Sequence, residues 1–252
     1  MYKAMQRSLD PLKLMESCES YLKQMLGFGD RYSVIVAPSL AAAYIIAVSA
    51  AMYAIDPLAI NYQASISPLA VIHDACCQTD PMFGPIKSCT SLTGAFNLNL
   101  GSYIMPMDKN TLAAVLQSNR VAAIFHQPYA YLKHNKYVQL QVISSLCQAR
   151  GTNVSVIVDA SCIPDSMFST GLMSTIQEFF SQGADAILLP VTEKLKGPPQ
   201  TCVLIGKSSM LEDMAGNISA LQSQVALPLT CSAAQLIGTV VAYQIFVSGH
   251  TI

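Results

Sequence analysis

Five short runs in this chain are apolar at nearly every position instead of every second one: Ser33-Val-Ile-Val-Ala37, Val121-Ala-Ala-Ile-Phe125, Val154-Ser-Val-Ile-Val158, Ala186-Ile-Leu-Leu189 and Thr201-Cys-Val-Leu-Ile205. A strand with one wet face must alternate, whereas a strand covered on both faces need not. Helical spacing fills the gaps between these runs. Leu12, Met15, Cys18, Leu22 and Met25 share one face and stop at Gly27 and Gly29. Further helices are expected from Ser39, over Asp108–Ser118 with Asp108 as N-cap, over Lys136–Arg150, Leu172–Gln182 and Met210–Leu221, and one more strand over Ser102–Met105. Buried strands alternating with helices define an α/β chain: three αβα layers around a mostly parallel sheet.

The composition fits heavy burial. Of 252 residues 52% are hydrophobic and 12% charged, with 14 basic against 15 acidic side chains. The net charge of -1 excludes a basic footprint for nucleic acid. So little charge implies an extensive core, a second copy covering the surface, or a membrane. Tyr32–Ile55 and Met214–Gly249 each lack Asp, Glu, Lys and Arg and are long enough to span a bilayer. The first is a strand, then Pro38-Ser39, then an Ala-rich helix of about four turns, too short to cross. The second is interrupted by Pro228, Thr230, Ser232, Gln235 and Gly238. Both read as buried helices, and a two-span membrane protein stays as an alternative. Lys3, Arg7, Asp10 and Lys13 break any apolar core of a signal peptide near the N-terminus.

The eight cysteines include no Cys-x-x-Cys pair, so reduced thiols and a cytoplasmic setting are expected. His73-Asp74-Ala75-Cys76-Cys77 has no second cluster at zinc spacing and reads as a strand end entering a loop, with no metal site. One domain over residues 1–252 is expected, with a helical segment at 1–30 and a long irregular insertion or loop at 60–101.

Chemistry concentrates at strand ends, where parallel sheets bind ligands. At the first, Pro38, Ser39 and Leu40 open a helix whose backbone N–H groups suit a phosphate, although Ser39 also suits a plain N-cap. At the second, Asp159 closes Val156-Ile-Val-Asp and is followed by Ser161. A carboxylate there is costly unless paired; it is read either as a turn cap or as the partner of a protonated pyridine nitrogen. At the third, Lys194 lies beyond Ala186-Ile-Leu-Leu189, one helix and one strand after Asp159. A held lysine with a held carboxylate suits Schiff-base chemistry.

The run Gly183–Lys207, with Val191-Thr-Glu-Lys-Leu-Lys-Gly-Pro-Pro-Gln200 at its centre, resembles the lysine region of the selenocysteine synthase-like family of fold type I pyridoxal phosphate enzymes. The resemblance covers roughly residues 20–225. It implies that Lys194 is the Schiff-base lysine, Asp159 the pyridine-nitrogen partner, and Pro38, Ser39, Leu40, His126, Ser161 and Thr192 further cofactor contacts. Val191 stands where the family has Ser, leaving Thr192 to replace it, and Pro128-Tyr129 replaces the expected Ser-Asn after the histidine. The chain is shorter than such enzymes and is expected to lack a small C-terminal domain.

The resemblance further implies pyridoxal 5'-phosphate, bound weakly or lost, and a lyase or transferase acting by β-elimination or β-replacement on a small amino substrate or phosphorylated amino sugar. It also implies a homodimer with residues 60–101 at the interface. The alternative is a degenerate scaffold of the same fold acting through protein partners.

Overall fold

The computed structural model describes residues 10–27, 29–56, 69–74, 79–80, 84–85, 90–101, 107–128, 138–149, 153–225 and 228–248. The first helix, α1 (Pro11–Met25), starts where the Asp10 carboxylate accepts the Leu12 N–H at 3.1 Å and Pro11 fixes the first turn; it stops before Gly27 at φ 63°. Met15, Cys18 and Leu22 form its buried stripe. Strand β1 (Tyr32–Ala37) leads directly into α2 (Leu40–Ile55), of which twelve residues, Ala41 to Met52, are buried. Its alanines allow it to lie flush on the sheet.

Two strands come from the stretch expected to be irregular, β2 (Ala70–His73) and β5 (Phe96–Asn99), with a minimal antiparallel pair, β3 (Thr79–Asp80) and β4 (Gly84–Pro85), between them. Four residues are too short a signal to separate strand from loop. The strand expected at 102–105 lies outside the described residues. Then follow α3 (Lys109–Ser118), capped by Asp108 as expected, β6 (Val121–His126), α4 (Leu140–Ala149), β7 (Ser155–Asp159) and a 3-10 turn over Ala160–Cys162. The chain continues through α5 (Asp165–Ser181), broken at Gly171, β8 (Ala186–Pro190), α6 (Val191–Leu195), β9 (Cys202–Lys207), α7 (Ser208–Val225) and α8 (Ala233–Ser248).

The main sheet has seven strands in the order β1-β9-β8-β7-β6-β2-β5. All neighbours are parallel except β9, which runs against both β8 and β1. With β9 reversed, the carboxyl ends of β1, β2, β6, β7 and β8 share one edge. One face is packed by α1, α3, α4, α5, α6 and α8, the other by α2 and α7. This is the three-layer αβα fold that the apolar runs require. Among the described residues no helix is long and apolar enough to cross a membrane.

Candidate active site

Alternation along β7 decides where Asp159 points. Val156 and Val158 enter the core on the α5 side, and Ile157 enters the core on the α2 side. Asp159, next in register, faces α2, where the Tyr44 hydroxyl donates to its Oδ2 at 2.7 Å. The Gln127 side-chain amide donates to the same oxygen at 2.6 Å and the Ser161 backbone N–H to Oδ1 at 2.9 Å. Asp159 is 0% exposed, so these three donors replace its water shell.

An aromatic stack lies beside it. Tyr44 and Phe125 are 4.3 Å apart at 23°, and Phe125 and His73 5.3 Å apart at 9°. His73 Nε2 hydrogen-bonds Asn97 Oδ1 at 2.9 Å, tying the end of β2 to β5. Sequence reasoning missed Tyr44 and Gln127, and read His73 only as a strand end.

His126 ends β6 beside β7, yet its ring does not join Asp159. Phe125 occupies the α2 face, so His126 turns to the other, where Nδ1 makes a short hydrogen bond to Asp74. Both are buried, and Asp74 also accepts the Gln127 backbone N–H at 3.2 and 3.4 Å. The family resemblance groups His126 with Asp159; the strand alternation separates them, and Gln127, one residue on, makes the contact instead.

Lys194 sits on α6, directly beyond β8, partly buried, with Nζ donating to the Ile163 carbonyl at 2.6 Å. The turn after it is tightly held. Lys196 and Gln200 take φ 55° and 63°, unusual for side-chain-bearing residues, and Thr192 donates its hydroxyl to the Pro198 carbonyl. Helix α8 clamps this turn: a Cβ on Gly238 would stand 2.5 Å from Pro198 Cγ, and one on Gly197 would stand 2.4 Å from Val191 Cγ1 and 2.9 Å from Ala242 Cβ.

The phosphate end is less open than expected. Ser39 is 2% exposed and its Oγ accepts the Ala42 N–H at 3.0 Å, while the Pro38 carbonyl accepts from Gln235 at 3.3 Å. Leu40 opens the helix beside them. Lys194, Asp159, Ser161, Pro38, Ser39, Leu40 and Thr192 therefore share one sheet edge, with the Ser39 and Thr192 hydroxyls engaged in capping and turn bonds. A cavity of about 700 Å³ opens at the opposite edge, lined by Ser144, Asp185, Lys207 and Ser209 among others, and none of the candidate residues reaches it.

The test for a pyridine cofactor is whether this edge offers it a vacant partner. It does: Gln127 Oε1 is buried without a hydrogen-bond partner among the described residues, on the same amide that holds Asp159. With a positioned lysine and a buried carboxylate, the residues present fit the group.

The chain has the fold of the fold type I pyridoxal phosphate enzymes. Among solved structures it is similar to D-glucosaminate-6-phosphate ammonia-lyase, with a TM-score of 0.71 at 18% identity over 99% of this chain and 62% of that one. It is also similar to mouse CSAD (TM-score 0.64, 15% identity, 96% and 53%) and to archaeal O-phosphoseryl-tRNA(Sec) selenium transferase (0.58, 13%, 94% and 50%). The chain thus spans between half and two thirds of these proteins' length. No family model matches the sequence, and no curated protein matches it.

Proposed function

We propose that the chain holds pyridoxal 5'-phosphate through Lys194 and acts as a lyase or transferase on a small amino substrate, by β-elimination or β-replacement. The observation that carries the reading is the pair formed by Asp159, fully buried at the end of β7, and Lys194, partly buried just beyond the end of the adjacent parallel β8. When bound, the cofactor supplies an electron-withdrawing ring conjugated to the substrate amine. Asp159 is held as an acceptor for the ring nitrogen by Tyr44, Gln127 and Ser161. In this reading the Lys194 amine takes or returns a proton at the substrate carbons next to the amine. Tight packing of the Lys196–Gln200 turn under α8 fixes the base, since misplacement of a catalytic group forfeits much of the advantage of orientation.

Resemblance to an ammonia-lyase for D-glucosaminate 6-phosphate makes a phosphorylated amino sugar the substrate class to try first. A second reading, a scaffold of the same fold without turnover, is supported by the Ser39 and Thr192 hydroxyls being used by the protein itself. A homodimer is proposed as well, on the 12% charge content and on Val241 and Val247, exposed on an uncharged α8; light scattering at micromolar concentration giving a monomer refutes it. The test of the main reading is incubation with pyridoxal phosphate, borohydride reduction and peptide mapping. The label is expected on Lys194 and to vanish in Lys194→Ala; label scattered over exposed lysines refutes the site.

A further inference from the structure

Gln127 is 4% exposed and is held at both ends of the residue: its backbone N–H donates to Asp74 and its side-chain amide to Asp159. A carboxylate with three donors on it can only accept, so the Gln127 amide must turn its NH2 to Asp159. Its oxygen is thereby left on the other arm of the amide, buried and with no partner among the described residues. The amide cannot flip to relieve this without setting oxygen against oxygen at the 2.6 Å contact. An acceptor locked in place and left unpaired in a protein interior marks a place where a donor is missing.

We propose that Gln127 is the residue through which this site recognises a hydrogen-bond donor on its bound molecule, Asp159 fixing the amide and Tyr44 fixing Asp159. Gln127 thus touches the ligand, and Tyr44 is a positioning residue. The inference rests on the cofactor reading above, which identifies the donor: the ring nitrogen of pyridoxal phosphate in its N–H form, shared between Asp159 and the Gln127 amide oxygen. The site then selects for a protonated ring nitrogen by two acceptors, one anionic and one neutral. The neutral one distinguishes this edge from a lone aspartate.

The experiment compares binding of pyridoxal phosphate with binding of its analogue carrying C–H in place of the ring nitrogen, by absorbance titration of the full chain, without measuring turnover. In the unaltered chain pyridoxal phosphate is expected to bind the more tightly. Gln127→Met, similar in size but without an acceptor, is expected to weaken pyridoxal phosphate about tenfold, as for loss of one buried hydrogen bond, and to leave the analogue within about twofold. Tyr44→Phe, which removes a donor from the same Asp159 oxygen but leaves the Gln127 oxygen in place, is expected to retain the preference for the ring nitrogen. Thermal melting of the cofactor-free variants checks that each is folded. Equal weakening of both ligands by Gln127→Met, or no weakening of either, overturns the proposal, as does loss of the preference in Tyr44→Phe. Failure of borohydride to label Lys194 in the unaltered chain is a separate result: it overturns the cofactor reading itself, and with it the assignment of the donor.

Discussion

Glu19 offers a test of the structure that needs no cofactor. It lies on the inner side of α1, mostly buried, with Oε1 accepting the Val36 N–H of the edge strand β1 at 2.9 Å. Burial pushes its carboxyl up from 4.5 to about 7; the Val36 bond opposes this and the Glu16 charge adds to it. A raised acid is most at home in the fold when protonated. Stability from this group is therefore complete below about pH 4.5. It falls as pH rises, because the unfolded chain releases the proton first, and it levels off above about pH 7. At about 1.4 kcal/mol for each tenfold step, the loss is on the order of 3 kcal/mol. Glu19→Gln keeps an oxygen for Val36 and cannot ionise. Its stability relative to the unaltered chain should rise by up to about 3 kcal/mol between pH 4.5 and pH 8, or roughly 6–12 °C in Tm. The chain has no Trp, so urea unfolding followed by far-UV circular dichroism is the assay. Any constant offset from the new amide cancels in this difference. Parallel pH profiles for the two proteins would refute the buried, raised carboxyl.

Tyr44→Phe should lower the stability of the cofactor-free chain by about 1–3 kcal/mol, since the buried Asp159 loses a donor with no water to replace it; an unchanged denaturation midpoint would mean that the hydroxyl is not bound there. Asp74→Ala should cost about 1–3 kcal/mol for each donor it orphans, His126 Nδ1 and the Gln127 N–H, which chemical denaturation would read as a loss of more than one such step. Gly238→Ala should cost about 1–3 kcal/mol through its 2.5 Å clash with Pro198, and should reduce labelling of Lys194 in parallel because that turn directly follows the helix that carries the lysine; melting and borohydride labelling check both halves.

The sheet was legible where its strands are buried on both faces. β6, β7, β8 and β9 announce themselves because no position needs to be polar, and their order along the chain with helices between them leaves few alternatives to a parallel sheet. β2 was not, since Ala70-Val-Ile-His73 is four residues long and owes its strand character to β5 and β6 on either side. Strand pairing between 70–73 and 121–125 is a tertiary event that local pattern does not encode. The lone reversal at β9 follows from its short connection to β8: residues 191–201, occupied by α6 and its tight turn, leave no room for the long crossover that a parallel neighbour requires.

At the site, what the sequence shows is each residue's place on its own strand, and what it hides is the partner across the fold. Asp159 and Lys194 could be placed at one edge because each terminates an evident strand. Tyr44 looked like one more apolar contact in a helix with twelve consecutive buried positions, and its hydroxyl meets Asp159 across 115 residues of chain. Gln127 was overlooked for a different reason. His126 carries the obvious chemistry and Gln127 follows it, but in an extended strand consecutive side chains take opposite faces, so only one of the two can reach Asp159. Phe125 settles which: its ring stacks on Tyr44, so His126 must turn to Asp74 and Gln127 returns to the α2 side. The parity of β6 is thus the link between pattern and chemistry, and a one-residue slip in its register would exchange the imidazole and the amide beside Asp159.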